Sequence, residues 1–142
     1  MYKICTSIEQ SKKLIELGID VKTADMFWSL NPEVLVASEY MTEDNCIPCV
    51  NAIPAWSLTA LMNILPSEFT EKGEYSETTY KIDIRKYALT DDADIYQIVY
   101  GNYRWFKDGS NIWVDMVDTG EKEDLLDAVF QMICWLLENN KI

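Results

Sequence analysis

The chain has 142 residues, 49% hydrophobic and 12% aromatic, which is ample apolar material for one core and too much for disorder. Its 24 acids against 12 bases give a net charge of −12, a field that repels phosphate backbones and anionic membrane surfaces. Histidine is absent, which removes the usual general base, metal ligand and triad member.

The start, "MYKICTSIEQSKK", holds no apolar run of signal-peptide length. No stretch reaches the ~18 apolar residues that a membrane span needs. A cytoplasmic protein with reduced thiols is the expectation. Residues 6–18 predict a helix with an apolar stripe of Ile8, Leu14, Ile15 and Leu17, closed by Gly18. Thr6 and Glu9 have capping-box spacing, and Ser7 and Gln10 offer the same box one residue on. A short second helix is expected after Thr23, in "TADMFWSL", ending before Asn31-Pro32. "VLVASEY", residues 34–40, predicts a strand, followed by an acidic turn.

"PAWSLTALMNILP", residues 54–66, predicts a short helix fenced by Pro54 and Pro66. Residues 67–78 are polar and predict a loop. "TYKIDIRKY" alternates apolar and charged residues, as a half-buried strand does. Asp108-Gly109 lies between "IYQIVYGNYRWF" and "NIWVDMV" and signals a hairpin, with Gly101 marking a bulge or bend. Residues 79–117 thus predict a three-stranded antiparallel meander. In "EKEDLLDAVFQMICWLLENN" apolar residues recur every three and four positions, and acids crowd the first turns, where the helix dipole favours them. The elements predict one α+β domain over 1–142. Its antiparallel sheet holds the meander plus one or two further strands. The N-terminal, central and C-terminal helices cover one face.

Four constellations bear on function. Cys46 and Cys49, in "DNCIPCVNAIPAWS", have the spacing of a thiol–disulfide centre or half a zinc site. Glu43 and Asp44 precede them and would raise a thiol pKa, and Pro54 disfavours helix just downstream. A loop is expected there. The segment "KKLIELGIDVKTADM" has the outline of a helix-turn-helix, but its second part carries Asp25 and a single Lys22, too few bases for a DNA groove. Two acid clusters, Glu121/Glu123/Asp124/Asp127 and Asp91/Asp92/Asp94, lack the glycine-centred spacing of a calcium loop; helix capping and turn formation account for them.

The fourth is aromatic. Tyr96, Tyr100, Tyr103, Trp105 and Trp113 crowd the hairpin. Tyr103 and Trp105 share a face beyond Gly101. Ile112, Val114 and Met116 are expected in the core, which turns Trp113 outward. Tyr103, Trp105 and Trp113 are therefore the candidate interaction surface, since Trp and Tyr dominate interface hot spots.

"CTSIEQSKKLIELGIDVKTADM" at 5–26, "IPAWSLTALMNILP" at 53–66 and "DAVFQMICWLLENNKI" at 127–142 resemble a family of small uncharacterised proteins. Its members are encoded in gut Bacteroides-type genomes, often in prophage-like or mobile regions. The resemblance implies a small cytoplasmic accessory protein and brings no catalytic residues, and Cys46 and Cys49 match no family feature. The expectation is a non-enzymatic, acidic protein-binding protein that meets a basic protein surface, with no cofactor and neither nucleic acid nor membrane as partner. The alternatives are a small-molecule, metal or thiol-redox protein using Cys46 and Cys49, and a structural phage component.

Overall fold

The computed structural model describes residues 3–30, 33–37, 52–91 and 93–142. It is an α+β structure with two antiparallel sheets. In chain order the elements are α1 (Ile8–Glu16), a 3-10 turn (Val21–Thr23), β1 (Met26–Leu30), β2 (Glu33–Ala37), β3 (Ala52–Ala55), α2 (Leu58–Ile64), β4 (Glu68–Lys72), β5 (Glu77–Thr90), β6 (Ala93–Trp105), β7 (Asn111–Asp118) and α3 (Leu125–Glu138). One sheet has the order β2-β1-β3 and the other β4-β5-β6-β7. Among the described residues, no helix is long and apolar enough to cross a membrane.

Helix α1 begins at the second of the two possible capping boxes. The Gln10 N–H donates to Ser7 Oγ at 3.1 Å and the Ser7 N–H donates back to Gln10 Oε1 at 3.0 Å. Helix α3 is capped by Asp124, which accepts the Leu126 N–H at 2.8 Å. Its Leu126, Val129, Ile133 and Leu136 join Ile98 and Tyr100 of β6, Trp56 and Leu61 around α2, and Leu14 of α1 in one apolar cluster. The helices thus cover the inner face of the four-stranded sheet.

Three expectations are corrected. "TADMFWSL" is not a helix: it gives the 3-10 turn's end and the central strand β1, paired with β2 on one side and β3 on the other. Asp25, the nearby residue suited to cap such a helix, instead accepts the Ser57 N–H at 2.8 Å and the Ser57 hydroxyl, at the start of α2. With its cap engaged elsewhere, Met26-Phe27-Trp28 follows its aromatic β preference. The helix-turn-helix outline disappears with it. Residues 67–78 are not all loop, because β4 adds a fourth strand to the meander. Phe69 anchors it in the core against the rings of Tyr80 and Tyr100, at 5.4 and 5.0 Å. The Pro54 segment begins as strand β3 before α2 starts. Pro54 is tolerated because β3 is an edge strand.

Strand β6 bends at the expected place. Its register with β7 slips between Tyr100 and Gly101, a β-bulge. Pairing with β5 ends at Lys81↔Gly101, whereas pairing with β7 continues to Trp105↔Asn111. Beyond Gly101 the two strands therefore run on as a ribbon that, among the described residues, has no third strand paired with it.

Candidate interaction surface

The site is this ribbon and the outer face of the sheet behind it. Its turn is fixed locally. The Phe106 N–H donates to the Ser110 carbonyl at 2.8 Å and the Gly109 N–H to the Phe106 carbonyl at 3.0 Å. Gly109 has φ +86°, the left-handed region that glycine enters without strain. Asp108 accepts the Ser110 N–H at 2.8 Å, and its carboxyl is held below the usual range by the Ser110 hydroxyl and N–H.

An isolated two-stranded ribbon is marginal in water, so this one needs side-chain support. Trp113 supplies it. Its ring meets Tyr103, the residue opposite it in register, edge-on at 5.2 Å. The ring also lies over Gly101, where a Cβ would come within 2.8 Å of it. The indole N–H donates to Asp115 Oδ1 at 2.7 Å. Asp115 in turn takes two bonds from Arg85, at 2.8 and 3.0 Å, and the same guanidinium reaches Asp83 at 2.7 Å. The Arg85 hydrogen bond, more than that of Trp113, holds the Asp115 carboxyl below its ordinary range.

The three aromatic residues expected at the surface are brought together on one face. Trp105 is 70% exposed and Tyr103 57%. Trp113 is half-buried by its packing on Gly101 and Tyr103. Ile112, expected in the core, is 53% exposed, because the ribbon outruns the helices that would cover it. Phe106 in the turn is 56% exposed. Alternation assigns Ile112 to the core and says nothing of Phe106, because exposure here depends on where β5 stops pairing.

Other candidates have structural roles. Asp127 pairs with Lys3 at 2.7 Å and accepts from Gln10 at 2.8 Å, and Asp94 pairs with Lys86 at 3.2 Å. Among the described residues, no group of three or more His, Cys, Asp or Glu is placed to hold a metal. Cys46 and Cys49 lie outside the described residues. Cys5 and Cys134 are buried, and burial, the larger cause for each, pushes both thiols up to about 11; Asp25 adds to this at Cys5 and Glu138 at Cys134. The thiolate is the reactive form. Both should therefore react slowly with Ellman's reagent at pH 7.4 and speed up as pH rises towards 11. Mass mapping of rapid labelling to Cys5 or Cys134 in the folded protein would contradict this burial.

No protein-family model, curated protein or solved structure matches the chain.

Proposed function

We propose that the protein is a non-enzymatic binding protein that engages a basic protein partner through the β6–β7 ribbon. The observation that carries this reading is the exposure of Tyr103, Trp105, Phe106 and Ile112 together on one projecting element. Large apolar groups are rarely left clustered in water unless they meet something. The ribbon is also braced before any partner arrives, since Trp113 and Asp115 hold its shape, and a pre-organised anchor loses less entropy on binding. The −12 charge speeds encounter with a basic surface. The resemblance of the terminal segments adds a setting: a cytoplasmic accessory protein of prophage or mobile-element origin.

The test is crosslinked capture of the tagged protein in cells, read by mass spectrometry, for wild type and Trp105→Ala. A basic protein should be captured by the wild type. Its affinity, measured with the purified pair, should fall about thirtyfold in Trp105→Ala, the loss of a hot spot worth about 2 kcal/mol. Trp105 is largely exposed and is not among the described residues that pack on the core cluster, so the variant should melt like the wild type. Equal affinity for the two proteins would refute the ribbon as the anchor.

A further inference from the structure

We infer that the outer edge of β7 accepts an extended segment of the partner as a fifth strand of the sheet, apolar on its inner face and basic on its outer one. This rests on the protein-binding reading and adds its mode and its chemistry.

Three observations meet at this edge. First, β7 ends the β4-β5-β6-β7 order, and among the described residues no strand pairs with its far side. The Phe106–Ser110 bond sets the alternation of the ladder. The backbone groups of Ile112 and Val114 face β6, and those of Asn111 and Trp113 face outward. The other edge of the sheet is guarded, since β4 carries Glu68, Glu71 and Lys72 in five residues. Edge strands are usually blunted by such charges, above all lysine, or by proline. From Asn111 to Val114 β7 has neither.

Second, the two faces of this edge differ in chemistry. The outer face carries Trp113, Asp115 and Asp118. The inner face carries Ile112, Val114 and Val117. From Asn111 to Glu121 the chain has three acids and no base. A strand laid here meets acids and an indole on one side and aliphatic side chains on the other. Alternating basic and apolar residues fit both sides, and a cation can also rest on the indole.

Third, beside the C-terminal half of β7 a groove of about 280 Å³ opens between that strand and α3, with Val117, Phe130, Cys134, Trp135 and the Lys13–Glu138 pair, 3.7 Å apart, among its walls. It is small for a metabolite pocket, which typically runs about 300–1,000 Å³. It suits the inward side chains of an added strand, and an edge strand beside a helix is a recurring way to bind extended peptides. A second copy of this chain fits less well, because β7 on β7 would set acids against acids.

The probe is a fluorescent decapeptide of alternating lysine and valine, titrated against the full chain. Three controls go with it: the glutamate–valine analogue, the lysine–valine peptide N-methylated at every valine, and the same peptide N-methylated at every lysine. The lysine–valine peptide should bind and the glutamate–valine one should not. In an extended strand all valine N–H groups point to one edge and all lysine N–H groups to the other. One methylated peptide should therefore lose at least tenfold in affinity while the other keeps it. Ile112→Lys, which guards the edge at an exposed position, should also cost at least tenfold. The Asn111 and Trp113 amides should gain protection from hydrogen exchange when the peptide is bound. Equal binding by both methylated peptides means charge alone and overturns the proposal, as does no binding by the parent. Self-association abolished by Ile112→Lys would assign the edge to a second copy and overturn the basic partner. If Trp105→Ala weakens the cellular partner and Ile112→Lys does not, protein binding through the ribbon stands and the fifth strand falls.

Discussion

Trp56→Ala should remove about 3–5 kcal/mol of stability, the usual cost of deleting a fully buried large aromatic. Trp56 has no exposed surface, lies between β3 and α2 in the chain, and belongs to the apolar cluster that holds Leu14 of α1, Leu61 of α2 and Ile98 of β6. Its indole N–H donates to Thr23 Oγ1 at 2.9 Å. Its backbone exchanges bonds with Thr6: the Trp56 N–H donates to Thr6 Oγ1 at 3.1 Å, and the Trp56 carbonyl accepts the Thr6 N–H at 2.9 Å. Alanine keeps the backbone bonds but leaves a cavity and loses the indole's bond to Thr23 Oγ1, whose hydroxyl still donates to the Asp20 carbonyl. Against a typical total of about 5–15 kcal/mol, this loss brings the protein close to unfolding. Urea denaturation checks it: the midpoint should fall sharply with the slope little changed. A loss below about 1 kcal/mol would mean that the N-terminal segment, β3 and α2 do not share one core.

Gly101→Ala should destabilise by about 2–3 kcal/mol, as overpacking at a closed site does, and should also abolish partner binding. The reason is local. A Cβ at Gly101 would lie 2.4 Å from the Val114 carbonyl oxygen and 2.8 and 2.9 Å from the Trp113 ring. The ring can swing away, but only by giving up its seat against Tyr103 and Asp115. The carbonyl belongs to the β6–β7 ladder and moves only if the ribbon does. Gly101 sits at the bulge that sends the ribbon past β5, so the substitution strikes the anchor's support and its direction together. Two readouts separate the effects. Melting gives the stability loss, and titration of the partner at a temperature where the variant is folded gives the binding loss. A folded variant with unchanged stability would show that Trp113 does not lie over Gly101.

Much of this architecture was written in local patterns. The 3.6-residue period of 125–137, the alternation of 80–85 and the Asp108-Gly109 turn are each decided by neighbours within one element, and each formed as expected. The failures share a different cause. β1 is a strand because β2 and β3 flank it and because Asp25 turns to Ser57, and neither relation is visible in "TADMFWSL". β4 rests on a single buried ring, Phe69, in a run that otherwise reads as solvent-facing. The aromatic surface was legible as composition, since Tyr103, Trp105 and Trp113 are plain in the sequence. Its exposure was not, because that depends on β5 leaving β6 at Lys81. The groove was hidden for the same reason: Val117 and Trp135 meet only through the fold.

The central claim is that the β6–β7 ribbon is where this protein meets a basic partner. A photo-crosslinking amino acid placed in turn at Trp105, at Ile112 and at Asp91, on the exposed turn at the opposite end of β6, tests it most directly. The account predicts that one basic protein is captured from Trp105 and Ile112 and not from Asp91. Capture from Asp91 alone, or equally from all three positions, would contradict it.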